Sequence, residues 1–128
     1  MKERYIKVLK VEPKSAPVGH TLKNELTALQ DAVSIGADYR GLIEVIDLND
    51  TVCVLCNEES KMIGLEPNRR FVDDILCGVF YVVGQNRRRE FVSLSEEQIE
   101  QYSQIFANID TFSEGEVENS IIVRFIEI

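Results

Sequence analysis

The sequence lacks any apolar run long enough to cross a membrane. Its long apolar stretches, such as residues 79–83 and 121–123, have the length of β-strands, whereas a membrane-spanning helix needs about 20 residues. The first seven residues include four charged side chains and lack the apolar core of a signal peptide. A chain of 128 residues that is 45% hydrophobic is large and apolar enough to bury one core. We therefore expect a single cytoplasmic domain covering residues 1–128.

Cysteine and histidine are scarce, with three cysteines and one histidine, His20. An odd number of cysteines argues against a disulfide framework. Together these four side chains make the ligand count of a Cys3His zinc site, and Cys53 and Cys56 have a suitable spacing. However, Cys53 and Cys56 lie in a run of strand-forming residues, where positions three apart point to opposite faces. The favoured prediction is therefore buried cysteines with no metal and no cofactor.

Groupings of catalytic residues are also lacking. His20 lies in a loop rich in proline and glycine, and the chain has no glycine-rich phosphate loop. The adjacent carboxylates at 73–74 and 96–97 stand where acids stabilise a helix N-terminus, and the pair at 58–59 falls in a turn. We assign no catalytic residue and expect a protein that is not an enzyme.

The negative charge is concentrated late in the chain. The formal net charge is −8, and residues 94–119 contain seven acids without a lysine or arginine. Glu96, Glu97 and Glu100 fall in a predicted helix, and the others follow it. The rest of the chain is nearly neutral, so we expect a local negative surface.

The pattern of apolar residues predicts an α+β fold with a mostly antiparallel sheet of about six strands and two helices packed on one face. Residues 5–11 alternate as a first strand, and Leu22, Leu26, Leu29 and Val33 have helical spacing, with Thr21 as the cap. Residues 42–48 and 52–56 are predicted to form a hairpin around the Asn49-Asp50-Thr51 turn.

The second half of the chain predicts another hairpin and a helix. Residues 57–70 are predicted to form a polar loop, and residues 71–78 a short helical turn. Residues 79–83 and 91–92 are predicted to pair across a turn. Ser95 and Gln98 form a capping box for a helix whose inner stripe is Ile99, Tyr102 and Phe106. Residues 108–119 are predicted to be an acidic linker, followed by a last strand in residues 120–128.

Arg87, Arg88 and Arg89 form the most basic site in the chain, at the tip of the predicted second hairpin. Such arginines contact phosphates or an acidic partner in some proteins, and in others they are solvated and discourage edge-to-edge pairing. No aromatic residue lies between them, so bases would have no stacking platform. We therefore do not expect a nucleic-acid partner.

Several blocks in the middle of the chain resemble one family. It is a bacterial domain-of-unknown-function family of small proteins found in phages, plasmids and conjugative elements, often near antirestriction genes. The resemblance covers residues 5 to about 107 and rests on these segments: 41–45, 56–61, 64–70, 78–84 and 91–95. It implies a mobile-element origin and a cytoplasmic setting, and it supplies no activity. It draws attention to Asn57, Asn68 and Arg69, which match polar positions of the family.

Two functions of different classes fit these observations. The first is a non-enzymatic accessory protein that binds another macromolecule, with a decoy for a basic host protein as a special case. Its binding residues would include the arginine tip and the three glutamates of the second helix. The alternative is a small enzyme or small-ligand binder that uses residues 57–70, with Arg69 as a clamp for an anion.

The last predicted strand suggests a way for subunits to associate. Residues 121–126 are largely apolar on both faces of an extended chain, which is typical of a strand inside a sheet. We expect this strand to pair beside residues 5–11, in its own subunit or, by exchange, in a homodimer.

Overall fold

A six-stranded antiparallel sheet forms the centre of the protein in a computed structural model, which describes residues 3–119. Two further strands make a separate hairpin, and the described residues also form two helices of eight and ten residues and a short helical turn at 116–119. The predicted α+β class with a mostly antiparallel sheet is confirmed. The elements are β1 (Tyr5–Val11), β2 (Val18–Lys23), α1 (Leu26–Val33), β3 (Ile43–Asp47), β4 (Val52–Asn57), β5 (Pro67–Phe71), β6 (Asp74–Cys77), β7 (Phe80–Gln85), β8 (Phe91–Val92) and α2 (Glu96–Ile105).

Strand β7 lies at the middle of the sheet, whose order is β2-β1-β7-β4-β3. Strand β8 also pairs with β7, at Gly84 and Gln85. Beside it, the Lys7 N–H donates to Ser93 Oγ at 2.9 Å and the Lys7 carbonyl accepts from the Leu94 N–H. Strand β1 therefore has β2 along one edge and β7 with the β8 segment along the other. The predicted strand in residues 120–128 and its expected pairing beside β1 lie outside the described residues.

The two helices cover opposite faces of the sheet, so the prediction that both pack on one face is wrong. Helix α1 packs through Leu29 and Val33 against one face, and α2 packs through Tyr102 and Phe106 against the other. The reason lies in the interior strands. All six residues of β4 and all six of β7 are buried, so both faces of the sheet need a cover.

Residues 18–23 form strand β2, whereas the sequence predicted a loop followed by a helix from Leu22. Leu22 pairs with Ile6 across β1 and is buried in the same core as Leu29 and Val33. The four-residue spacing of Leu22 and Leu26 therefore does not reflect one shared helix face, and Leu26 itself is exposed. The helix begins only after the buried Asn24, whose Nδ2 donates to the carbonyls of Glu3 and Phe91.

Residues 67–77 form the β5–β6 hairpin, where the sequence predicted the end of a loop and a helical turn. Phe71 pairs with Asp74, which leaves Val72 and Asp73 as a two-residue turn. Val72 has φ +54° there, a conformation that a β-branched residue rarely adopts. A valine at this position is not typical of such a turn, so residues 71–74 carry no clear hairpin signal.

Replacing Val72 with glycine is expected to raise the free energy of unfolding by about 0.5–1 kcal/mol, because glycine removes the left-handed strain. Val72 is 85% exposed, so little burial is lost. Urea denaturation followed by circular dichroism measures the change. The matched control is Val18→Gly, at an exposed valine of β2 without a positive φ, where glycine should destabilise by about 0.5–1 kcal/mol. Equal destabilisation by both variants would contradict strain at Val72.

Candidate functional site

Arg69 is the most deeply buried cation of the described chain, with 1% of its surface exposed. Its Nε donates to the Phe106 carbonyl at the end of α2, and its Nη2 donates to the Ser15 carbonyl in the β1–β2 loop. Its Nη1 contacts Asn68 Oδ1 at 2.7 Å and the Glu12 carbonyl at 3.4 Å. Burial lowers the pKa of the Arg69 guanidinium. Because these acceptors all come from the chain itself, Arg69 joins three segments and offers no free face to an anion.

Asn57 and Asn68, the two other polar positions singled out by the family resemblance, are also buried. Asn68 Nδ2 donates to the carbonyls of Val11 and Gly78, each at 2.8 Å. Asn57 Oδ1 accepts from the Glu59 N–H in the turn after β4. A Cβ at Gly41 would come within 2.5 Å of Asn57 Nδ2, so the chain passes close to this amide. Both side chains therefore hold the fold together.

Helix α2 carries exposed acids on its outer surface. Ser95 caps it, with both hydrogen bonds of the predicted capping box to Gln98 present. Ile99 and Tyr102 turn inward. Glu96, Glu97 and Glu100 are exposed, and no lysine or arginine among the described residues pairs with them. Glu96 and Glu100 are four residues apart, so these two like charges are neighbours on the helix surface.

Residues 110–119, here called the acidic strap, lie against the β5–β6 hairpin and are held there by Arg70. The Arg70 N–H donates to Asp110 Oδ2 at 2.8 Å, and its guanidinium bonds the Thr111 carbonyl and pairs with Glu116. The guanidinium also lies over the Phe112 ring, 4.8 Å from its centroid. The hydrogen bond from Arg70 lowers the pKa of Glu116 to about 2. Arg70 therefore pairs with Glu116 through its guanidinium, binds Asp110 through its backbone N–H, and fixes the path of the strap.

The strap is more ordered than a linker, since residues 116–119 are helical. Phe112 and Val117 pack against a small core of Leu65, Ile75 and Cys77. The Ser113 N–H donates to Glu116 Oε1, as in a capping box. The Ser113-x-x-Glu116 spacing in the sequence is a signal for this helix start, which the predicted linker overlooked.

A cleft of about 820 Å³, here called the turn cleft, opens between the β3–β4 and β7–β8 turns. Arg87 and Arg89 of the arginine tip line it, whereas Arg88 does not. Both turns were predicted from the sequence, but their proximity was not, because β4 and β7 are neighbours only in the folded sheet. Its lining residues are Asp47, Leu48, Asn49, Asp50, Thr51, Gln85, Asn86, Arg87 and Arg89.

The walls of the turn cleft are tied to each other by hydrogen bonds. Gln85 is buried, and its Nε2 donates to Asp47 Oδ1 at 3.0 Å and to the Asn49 carbonyl at 3.2 Å. Arg89 Nη1 donates to Asp47 Oδ2 at 2.7 Å. This bond from Arg89 and the one from Gln85 lower the pKa of Asp47. Asn49 Nδ2 donates to the Tyr102 hydroxyl and so connects the cleft to α2.

The three cysteines are buried and none forms a disulfide with another described residue. Cys53 and Cys56 belong to cores on opposite faces of the sheet, as their spacing predicted. Burial raises the pKa of Cys53 to about 12 and that of Cys77 to about 11, so neither thiol is activated. His20 lies on β2 rather than in a loop, with its ring 6.0 Å from that of Tyr81. Within residues 3–119, no three His, Cys, Asp or Glu side chains are grouped as metal ligands.

No helix in residues 3–119 is both long and apolar enough to span a membrane. Residues 6–107 match the family described as Domain of unknown function (DUF3846). The chain belongs to this family. The resemblance to a domain-of-unknown-function family is thereby confirmed, and the matched region runs from β1 to the end of α2, with both walls of the turn cleft and Arg69 inside it. No curated protein and no solved structure matches this member of the family.

Proposed function

We propose that this protein is a non-enzymatic accessory protein of a bacterial mobile element that binds a basic macromolecule, most simply a host protein, in the cytoplasm. One observation carries the proposal. Five acids of α2 and the acidic strap are exposed and have no lysine or arginine partner among the described residues: Glu96, Glu97, Glu100, Glu114 and Glu118.

The acids of α2 repel one another in the free protein. Glu96 and Glu97 are stabilised by the helix N-terminus, whereas Glu100 lies a turn further on, beside both. A partner that places lysines or arginines over this surface would relieve the repulsion. Charge complementarity of this kind speeds association and selects the partner.

The anchoring of the acidic strap supports the same function. Arg70 and the packing of Phe112 and Val117 hold Glu114 and Glu118 close to the body of the domain. A surface that is fixed before binding loses less conformational entropy when the partner arrives. A partner that normally binds phosphate groups would meet carboxylates there instead, which is the basis of the decoy function.

The triple variant Glu96→Gln, Glu97→Gln, Glu100→Gln is expected to bind a fluorescent decalysine peptide about tenfold more weakly than the natural protein. Three exposed ion pairs worth roughly 0.5 kcal/mol each account for this loss. Fluorescence anisotropy at physiological salt measures the affinity. Affinity capture from a bacterial host lysate with the same two proteins would then identify the partner.

The control variant removes three acids elsewhere: Asp38→Asn, Glu58→Gln and Glu59→Gln. Those carboxylates are exposed and have no lysine or arginine partner in the described part of the chain. Its affinity for decalysine should stay within about twofold, because distant exposed charges are screened. If the control loses as much affinity as the helix variant, total charge rather than the α2 surface governs binding, and the proposal fails.

A further inference from the structure

The turn cleft combines opposite charges on facing walls. Asp50 lies in the β3–β4 turn, and Arg87 lies in the β7–β8 turn. We infer that the cleft binds a small zwitterion, a free amino acid or a short peptide, with its carboxylate toward Arg87 and Arg89 and its ammonium group toward Asp50. This site is separate from the acidic surface of α2 and does not depend on the proposed function.

The hydrogen bonds within the cleft determine which groups remain for a ligand. Both oxygens of Asp47 are occupied, one by Gln85 and one by Arg89. Arg89 uses only Nη1 in that contact, so its Nε and Nη2 remain available. Within the described residues, Arg87 and Asp50 form no hydrogen bond or ion pair through their side chains. Two guanidinium groups and one carboxylate are therefore left to bind.

The charge balance favours a zwitterion over a simple anion. The four charged side chains of the lining are two aspartates and two arginines, and their formal charges cancel. A phosphate dianion near the arginines would also face the carboxylate of Asp50. A ligand with separated charges satisfies both walls, since a guanidinium binds a carboxylate through paired hydrogen bonds.

The cleft is also suited to such a ligand in size and rigidity. Its volume of about 820 Å³ lies in the range of small-molecule sites, which is large enough for a peptide of a few residues. The Gln85 N–H donates to the Thr51 carbonyl at 2.9 Å, and Asn86 Oδ1 accepts from the N–H groups of Arg88 and Glu90. Both turns are thus fixed before a ligand arrives, which lowers the entropic cost of binding.

The test is a titration of the ¹⁵N-labelled full chain with trialanine, followed by the amide resonances of Thr51 and Asn86. Saturable shifts are expected for the natural protein. Arg87→Gln and Asp50→Asn should each weaken binding about tenfold, the usual value of one charge-assisted hydrogen bond. Arg88→Gln is the matched control, because it removes the same charge from the same turn outside the lining. It should change the affinity less than twofold.

Blocked ligands separate the two charges of the zwitterion. Trialanine amide lacks the carboxylate, so it should bind the natural protein about as weakly as trialanine binds Arg87→Gln. The binding of trialanine amide to Arg87→Gln should be little weaker than either, because both changes remove the same contact. N-acetyl-trialanine should behave in the same way toward Asp50→Asn. The inference is overturned if trialanine gives no saturable shifts, or if Arg88→Gln weakens binding as much as Arg87→Gln. It is equally overturned if N-acetyl-trialanine or inorganic phosphate binds as well as trialanine.

Discussion

Replacing Arg69 with alanine is expected to lower the free energy of unfolding by about 3–4 kcal/mol. The change leaves the carbonyls of Phe106 and Ser15 and the Asn68 amide oxygen without their donor, and each unsatisfied buried acceptor costs roughly 1–3 kcal/mol. A cavity adds to the loss, although water entering it would satisfy some of these acceptors. Urea denaturation followed by far-ultraviolet circular dichroism measures the change.

Two further variants show whether the geometry of the guanidinium matters. Arg69→Lys keeps the charge but lacks the planar set of five donors, so it should recover less than half of the lost stability. Arg88→Ala removes an exposed arginine and should change stability by less than about 0.5 kcal/mol. Full stability of Arg69→Lys would mean that charge alone matters and that the three-segment junction is not formed as described.

Replacing Phe106 with alanine is expected to destabilise the protein by about 3–5 kcal/mol, the range for a large aromatic in a core. The Phe106 ring packs edge-on against Phe80, with centroids 5.1 Å apart, and lies 6.4 Å from the Phe71 ring. It therefore joins the central sheet, the β5–β6 hairpin and α2. Thermal unfolding should show a lower midpoint for this variant.

The neighbouring Ile105 provides a matched control. It is 56% exposed at the end of the same helix, so Ile105→Ala should cost less than about 1 kcal/mol. A difference in stability between the two variants cannot come from helix propensity, since both introduce alanine, the best helix former. Similar losses from the two changes would contradict the role of Phe106 as the contact between three elements.

Local patterns were sufficient where neighbouring residues pair with each other. Strand β1 occupies the predicted residues 5–11, and the β3–β4 hairpin turns at the predicted Asn49-Asp50-Thr51. Helix α2 begins at the predicted capping box. In each case the signal is an alternation, a turn or a cap within about ten residues, so it can be read without the rest of the fold.

Distant contacts decided the remaining elements. The β5–β6 hairpin has two arginines in β5 and a valine in its turn, which is not a typical hairpin sequence. It forms because Phe71 and Leu76 pack against the core beneath α2. The sequence marked Arg69 as a polar loop residue. Only the fold brings the carbonyls of Glu12, Ser15 and Phe106 around it and makes it structural.

The sequence by itself determined the fold class, the opposite facing of Cys53 and Cys56, and the acids on α2. Each follows from residue periodicity, which fixes the direction of a side chain relative to its own element. Only the tertiary structure decided that the helices cover opposite faces, that Arg70 holds the acidic strap, and that Asp50 and Arg87 share one cleft. Those features depend on which elements become neighbours in the folded protein. Strands β4 and β7, for example, pair residues about 30 positions apart, and that pairing is stabilised by apolar burial across the whole sheet rather than by any local pattern.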